Sequence, residues 1–270
     1  MTSIVIDKSF LQGASRAEIS TAAAFWDFVL GRTLLHELSS VEEPFLDRSV
    51  ENLAFLNSLG CTRLPDLWEI VTYELSNGYS ARRINRYPLM ASKSELVSRA
   101  RACRPEATEF ESICGYMHNA TCGCEDDGAF SDLRRLKEQE FYEWLSNSVN
   151  DGVTGETVLA HWAAQAGRFN VQVAPALHPD RTWFLYGGHL ACLASVIYKL
   201  YKAGDGVLDP KKPANLHFDA EYLGLMALAD GLACQDHGML KLAWAIWPEK
   251  RGHLYTYEER KIRRFCPKWK

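Results

Sequence analysis

Four acidic residues adjoin apolar segments of the chain and could be brought together by folding. They are Asp7, Glu37, Asp219 and Asp236. Carboxylates gathered at one place repel one another unless a cation neutralises them. The hard cations Mg²⁺ and Mn²⁺ prefer oxygen ligands, and sites of this kind position a water nucleophile and stabilise phosphoryl charge during hydrolysis.

The segments that precede Asp7 and Asp236 are typical of short buried strands. Asp7 follows "SIVI", and Asp236 follows "LACQ". In an open α/β sheet, sites form outside the carboxyl ends of the strands, so we expect both acids at one edge. Asp219 follows a proline-containing loop and is predicted to start a helix over 219–230. An acid there also stabilises the helix dipole, which is a sufficient reason for its presence if it acts alone.

The remaining elements predict an α/β domain interrupted by a helical region. Helices are predicted over 15–32, where Ser15 and Glu18 have the spacing of a capping box, and over 33–43, which carries Glu37. Strands are predicted over 170–177 and 253–257, and an apolar helix over 187–202. Residues 46–150 show helical patterns and no clear strand. We therefore expect a discontinuous domain of residues 1–45 and 151–270, with residues 46–150 as a mainly helical insertion.

The segments "IVIDKS", "LLHEL" and "DAEYLGLMALADGLACQD" together resemble the PIN-domain nucleases. The resemblance implies a central parallel sheet flanked by helices, and a metal-dependent endoribonuclease. It implies that Asp7, Asp219 and Asp236 bind Mg²⁺ or Mn²⁺, and that Glu37 is a further ligand or helps to activate water. Ser9 would hold Asp7 or a phosphate. The chain departs from the family in its large insertion, and in Cys234, which stands where the family often has a hydroxyl.

The basic segment 82–104, within the predicted insertion, is a candidate RNA-binding surface. The net charge of −4 gives no overall attraction to nucleic acid, so binding would need a local patch. Tyr79 and Tyr87 lie close enough in sequence to stack on unpaired bases. A solvated helix face is the alternative interpretation of this segment. The candidate substrate-binding arginines are Arg82, Arg83, Arg86, Arg99 and Arg101.

The eight cysteines are expected to be free thiols, with Cys192 and Cys234 in the core. The segment "CGYMHNATCGC" could supply a structural zinc site, although it lacks the usual paired C-x₂-C spacing. Unliganded thiols in a loop are the alternative. The four zinc-competent side chains are Cys114, His118, Cys122 and Cys124.

The start of the chain lacks the features of a signal peptide, and no apolar run has the character of a membrane span. We therefore expect a soluble, cytoplasmic protein that has no membrane partner. RNA is the expected partner, and the family resemblance adds a protein inhibitor and a homodimer. Two alternative functions are a PIN-like scaffold that binds RNA or protein without cutting, and a helical adaptor with a structural zinc, which would contain little parallel sheet.

Overall fold

The computed structural model describes residues 1–39, 45–89, 92–95, 98, 132–166, 171–203 and 216–269. These residues form an α/β fold in which a seven-stranded sheet is flanked by helices. The strands are β1 (Thr2–Ile6), β2 (Trp26–Leu30), β3 (Thr62–Arg63), β4 (Tyr87–Pro88), β5 (Gly231–Ala233), β6 (Leu254–Glu258) and β7 (Lys261–Arg264). The α-helices are α1 (Lys8–Gly13), α2 (Arg16–Ala23), α3 (Arg32–Ser39), α4 (Phe45–Ser58), α5 (Leu67–Asn77), α6 (Glu138–Gly152), α7 (Gly155–Ala166), α8 (Phe184–Ala203), α9 (Leu216–Leu225) and α10 (His237–Ile246).

The sheet is mixed, with strand order β4-β3-β2-β1-β5-β6-β7. The central strands β3, β2, β1, β5 and β6 pair in parallel, whereas β4 and β7 pair antiparallel at the two sides. We call the edge formed by Ile6, Leu30 and Ala233 the carboxyl edge, and the edge formed by Thr2, Trp26 and Gly231 the amino edge. The strand order reverses between β1 and β5, which is the position where open α/β sheets bind ligands.

The prediction of one helix over 15–32 is wrong. Helix α2 begins after Ser15, whose side chain accepts a hydrogen bond from Glu18 N as predicted, but it ends at Ala23. Strand β2 follows and pairs in parallel with β1. Aromatic and β-branched residues favour a strand, and the ladder with β1 supplies hydrogen bonds that the local helical pattern did not reveal.

The prediction that residues 46–150 contain no strand is also wrong, because β3 and β4 lie in this region and extend the sheet beyond β2. The predicted strand over 170–177 is not formed, because residues 171–177 have no regular structure. Ala174 N in this segment donates instead to Leu75 O of α5. The predicted strand before Asp7 is confirmed as β1, and the predicted strand over 253–257 is confirmed as β6. The seven-stranded sheet contradicts the alternative of a helical adaptor with little sheet.

Glycines allow α8 and α9 to pack closely, and this packing sets the position of Asp219. A Cβ atom on Gly187 would lie 2.7 Å from Gly224 O, and one on Gly224 would lie 3.0 Å from Gly188 Cα. Gly187 and Gly188 therefore lie within α8 without interrupting it, and their lack of a side chain lets α9 pack closely against this helix. In the part of the chain that the structure describes, no helix is long and apolar enough to cross a membrane.

Candidate functional site

Asp7 lies at the carboxyl end of β1, and several donors hold its carboxylate. It is the N-cap of α1, and its Oδ1 accepts a hydrogen bond from Phe10 N at 2.8 Å. Ser9 Oγ lies 2.9 Å and 2.8 Å from the two carboxylate oxygens. The Cys234 thiol donates to Oδ2 at 3.1 Å. Burial raises the pKa of Asp7, and these hydrogen bonds oppose that rise.

Asp236 lies beyond the carboxyl end of the neighbouring strand β5. It is the N-cap of α10, and its Oδ1 accepts from Gly238 N at 2.7 Å and from Met239 N at 3.1 Å. Its own backbone N–H donates to Cys234 Sγ at 3.1 Å. Cys234 is fully buried, as predicted, and its thiol links the backbone of Asp236 to the carboxylate of Asp7.

Glu37 extends from α3, which follows β2 at the same edge. Its Oε2 accepts a hydrogen bond of 2.6 Å from the hydroxyl of Tyr222 in α9. Burial raises the pKa of Glu37. The Tyr222 hydrogen bond and the charge of Lys8 lower this pKa, whereas the charge of Asp7 raises it.

Asp219 lies in the first turn of α9, as predicted, although that helix begins earlier, at Leu216. Its pKa is raised to about 7, first by burial and then by the charges of Asp236, Glu37 and Asp7. The charge of Lys199 acts in the opposite direction. Asp219 is thus influenced electrostatically by the other three acids, and we call the four residues together the carboxylate cluster.

Two residues of α9 that the sequence did not indicate as part of this site lie against the cluster. Glu221 is only 9% exposed, and its Oε1 accepts a hydrogen bond from Thr33 N at 3.3 Å. Burial raises its pKa, and the charge of Glu37 adds to that rise. Tyr222 is three residues from Asp219, the helical spacing of side chains that share a face, and this spacing was the available signal.

The donor set of the cluster suits a hard divalent cation, because every one of its acids offers carboxylate oxygens. Burial is the main cause of the raised pKa of Asp219, and the charges of Asp236, Glu37 and Asp7 add to it, so these acids repel one another. Among the described residues, however, no three His, Cys, Asp or Glu side chains are arranged so that they could hold a metal ion. Hydrogen bonds within the protein occupy Asp7 and one oxygen of Asp236.

The described candidate substrate-binding arginines do not lie beside the cluster. Arg82 forms a 3.1 Å ion pair with Asp230, which directly precedes β5, and Arg86 forms a 2.7 Å ion pair with Asp27 near the start of β2. Arg82 therefore lies at the amino edge, and the guanidinium of Arg86 lies near the start of β2. Arg83 is exposed in the short 3₁₀ helix that also contains Arg82.

Other candidates fall outside the described residues. These are the substrate-binding candidates Arg99 and Arg101, and the zinc candidates Cys114, His118, Cys122 and Cys124. The predictions made for them remain predictions. Cys192 is described and is buried, as expected.

Ser9 does hold Asp7 through its hydroxyl, and it also connects the two strand ends, because its Oγ accepts a 2.9 Å hydrogen bond from Gln235 N. The carboxylate cluster therefore lies at the carboxyl edge, where hydrogen bonds connect the ends of β1 and β5 and where α3 and α9 contribute the other two acids. Comparisons with protein-family models, with curated proteins and with solved structures each found no match.

Proposed function

We propose that the protein is a PIN-like, divalent-metal-dependent endoribonuclease and that the carboxylate cluster is its active site. The observation that carries this proposal is the raised pKa of Asp219, about 7, which burial causes first and to which the charges of Asp236, Glu37 and Asp7 add. Acids that repel one another at the point where strand order reverses are a suitable place for Mg²⁺ or Mn²⁺. The order of these acids along the chain also resembles the PIN pattern.

Each residue of the cluster has a role in this proposal. Asp7, Asp219 and Asp236 would hold the cation, and Glu37 would either join them or accept a proton from the attacking water at Oε1, since Tyr222 occupies Oε2. A divalent cation supplies stabilisation of phosphoryl charge and a more acidic water. Ser9 and Cys234 orient the carboxylate of Asp7 through their hydrogen bonds.

RNA is the proposed substrate, and two lysines within electrostatic range of the cluster suit its phosphates. Lys8 lowers the pKa of Glu37, and Lys199 lowers the pKa of Asp219, so both lie within electrostatic range of the acids. Contacts between cations and phosphates supply most of the sequence-independent affinity for nucleic acid. Arg82 and Arg86 are paired with Asp230 and Asp27, which lie near the starts of β5 and β2, so we do not place them at the cleavage site.

The decisive experiment is incubation of the full chain with a pool of labelled RNAs in the presence of Mn²⁺ or Mg²⁺. We expect cleavage by the wild type, and loss of cleavage on adding a chelator or on the substitution Asp219→Asn. A matched control is Asp47→Asn, which removes an exposed acid that pairs with Lys93 and should leave cleavage unchanged. Cleavage that survives both the chelator and Asp219→Asn would contradict the proposal.

A non-cutting PIN-like scaffold is the second candidate function. It is favoured by the helix-capping roles of Asp7 and Asp236, which are sufficient structural reasons for both acids. It is also favoured because no described trio of side chains is arranged to hold a metal. This alternative predicts saturable binding of RNA or of a protein partner, with no cleavage under any metal condition and no loss of binding in Asp219→Asn.

A further inference from the structure

A cavity of about 680 Å³ opens at the amino edge of the sheet, away from the carboxylate cluster. Thr2 begins β1, Asp230 directly precedes β5 and His253 directly precedes β6, so the cavity lies across the starts of three strands. A five-residue strand such as β1 is about 15 Å long, and this length separates the two edges. The volume lies within the range of small-molecule sites, roughly 300–1,000 Å³.

Three cationic side chains line this cavity and influence one another. The pKa of Lys250 is lowered to about 8, mainly by burial and then by the charge of Arg82, while Arg181 also lowers it. Lys250 Nζ and Arg181 Cζ lie 4.5 Å and 4.9 Å from the ring centre of Trp247, so one buried indole holds both cations. Mutually repelling cations favour a bound anion for the same reason that clustered acids favour a cation.

The two acids that line the cavity already have partners. Asp230 Oδ2 accepts from Ser3 N at 2.9 Å and from Ser3 Oγ at 3.0 Å, and its Oδ1 accepts from Arg82. Partial burial acts to raise the pKa of Asp230, but the Ser3 hydrogen bonds and the charge of Arg82 lower it. Glu249 accepts from Arg181 Nε at 3.2 Å. The acceptors in the wall are thus largely occupied.

Hydrogen-bond donors, in contrast, remain in excess. An arginine carries five N–H donors, and Arg82 uses one side-chain donor on Asp230. An ammonium group carries three donors, and Lys250 Nζ donates to Met226 O and to Ala229 O, which leaves one. His253 Nδ1 is buried and has no hydrogen-bond partner among the described residues, and it is a donor only in the tautomer that carries its proton there. Arg181 has one donor left, because its guanidinium already donates to both carboxylate oxygens of Glu249, to Asn150 Oδ1 and to Ile246 O. The remaining donors in the wall therefore come mainly from Arg82, with one each from Lys250 and Arg181.

We propose that this amino-edge cavity is a binding site for a small phosphate-bearing molecule, held by Arg82 and Lys250, with Arg181 adding positive charge. Guanidinium groups match the oxygens of phosphate in geometry, and the ammonium group of lysine adds a compact charge. The cavity has room for a phosphate monoester of nucleotide size, so free phosphate and a mononucleotide are the two sources to distinguish. The proposal does not depend on the nuclease assignment, because it uses none of the acids at the carboxyl edge.

Titration calorimetry of the full chain at neutral pH tests this site, with inorganic phosphate, uridine monophosphate and uridine as the probes. We expect saturable binding of inorganic phosphate, of uridine monophosphate or of both, and no binding of uridine. Tighter binding of the nucleotide would identify a phosphate ester as the ligand class, and equal binding would identify phosphate alone. Absence of binding by both phosphate-bearing probes, or equal binding of uridine, would overturn the proposal.

Variants at the rim of the cavity then locate the site without disturbing the core. Lys250 donates hydrogen bonds to two backbone carbonyls in the core, so its replacement could unfold the chain. Arg82 is therefore the better residue to replace. Arg82→Gln should weaken binding about tenfold or more, the effect of losing a charge-assisted hydrogen bond. The matched control Arg83→Gln removes the same charge from the neighbouring residue, which does not line the cavity, and should bind as the wild type does.

The substitution Asp230→Asn should change the affinity for phosphate in the opposite direction. It removes a negative charge from the wall while keeping an oxygen that can accept the Ser3 hydrogen bonds. We expect severalfold tighter phosphate binding in this variant, because the charge that opposes the anion is gone. Equal weakening by Arg82→Gln and Arg83→Gln, or weaker binding in Asp230→Asn, would show that the phosphate binds elsewhere.

Discussion

The two edges of the sheet hold clusters of opposite charge, acids at the carboxyl edge and cations at the amino edge. At the carboxyl edge, Asp219 has its pKa raised to about 7 by burial and by three neighbouring acids. At the amino edge, Lys250 has its pKa lowered to about 8 by burial and by Arg82. In each case the fold holds like charges together although their charged forms are disfavoured. An ion of the opposite sign would relieve the repulsion, and the required signs differ between the edges.

The edges also differ in how their charges are held. The carboxylates of Asp7 and Asp236 accept backbone N–H groups at the first turns of α1 and α10, so local chain geometry positions them. The cations of the amino edge are held by tertiary contacts, such as those of Arg181 and Lys250 with Trp247. Helix capping is readable from sequence, whereas contacts between distant segments are not. The experiments below test each side of this contrast.

The largest expected effect is loss of RNA cleavage on substitution of a cluster acid. Asn can still cap α1 at position 7, so Asp7→Asn should leave the fold intact while removing a proposed ligand charge. A metal ion contributes several kcal/mol to transition-state stabilisation, so we expect about a 10³-fold lower cleavage rate. Gel analysis of cleavage with Mn²⁺ measures this effect.

Asp27→Asn is the matched control for this experiment. Asp27 is an acid of the amino edge that pairs with Arg86, and it lies outside the cluster and the cavity. We expect its substitution to cost at most about 1 kcal/mol of stability, as is usual for exposed ion pairs, and to leave cleavage unchanged. An equal loss of cleavage in both variants would mean that the two edges do not differ in function.

The next effect concerns the pH dependence of stability. Asp219 binds its proton more tightly when folded, since its pKa is raised from 3.8 to about 7, so the folded state holds more protons between these values. The free energy of unfolding should therefore fall as pH rises through this window, by on the order of 2–4 kcal/mol from Asp219. Asp219→Asn should remove this contribution.

Urea denaturation of both proteins across the same pH range measures the difference. Glu74 titrates in the same window, since burial raises its pKa to about 7, so the variant should retain part of the slope. Parallel pH profiles for wild type and Asp219→Asn would contradict the electrostatic description of the cluster. A variant that is more stable than the wild type near neutral pH would support it.

A smaller effect is expected from the hydroxyl that positions Glu37. Tyr222→Phe removes the donor to Glu37 Oε2 and retains the buried ring. Loss of a group that orients a metal-site ligand typically costs 10–100-fold, so we expect cleavage to fall by about this factor. The pH profile of the cleavage rate should also shift to higher pH, because the Tyr222 hydrogen bond lowers the pKa of Glu37.

Tyr186→Phe is the control for the loss of a buried hydroxyl. The hydroxyl of Tyr186 donates to Val153 O at 2.7 Å, and its removal costs a comparable hydrogen bond outside the cluster. We expect cleavage and its pH profile to match the wild type in this variant. Equal losses in the two variants would assign the effect of Tyr222→Phe to general stability.

The smallest effect is on the ionisation of Lys250. Arg82 is one of the charges that lower its pKa, so Arg82→Gln should raise it. The Arg82 side chain is 40% exposed, so solvent screens its charge, and we expect less than about a tenfold change in the ionisation constant. Side-chain NMR titration of Lys250 measures this change. An unchanged or lower pKa in the variant would show that Arg82 does not contribute to the charge of the cavity.

Several features of the carboxyl edge followed from local sequence. An apolar run that ends in a polar residue predicted that Asp7 and Asp236 follow buried strands, and the structure places both there as helix N-caps. The pairing of Ser15 with Glu18 predicted the start of α2. These features depend on residues a few positions apart, so they are visible in a single sequence.

Other features depended on partners far along the chain. The sequence favoured a helix where β2 forms, because only the ladder with β1 distinguishes the two structures, and it did not reveal β3 or β4 for the same reason. The burial of Glu221 and the pairing of Arg82 with Asp230 were equally hidden. The sequence by itself determined which acids follow strands. The tertiary structure alone decided which charges share an edge, because burial and distance between remote segments set their electrostatics.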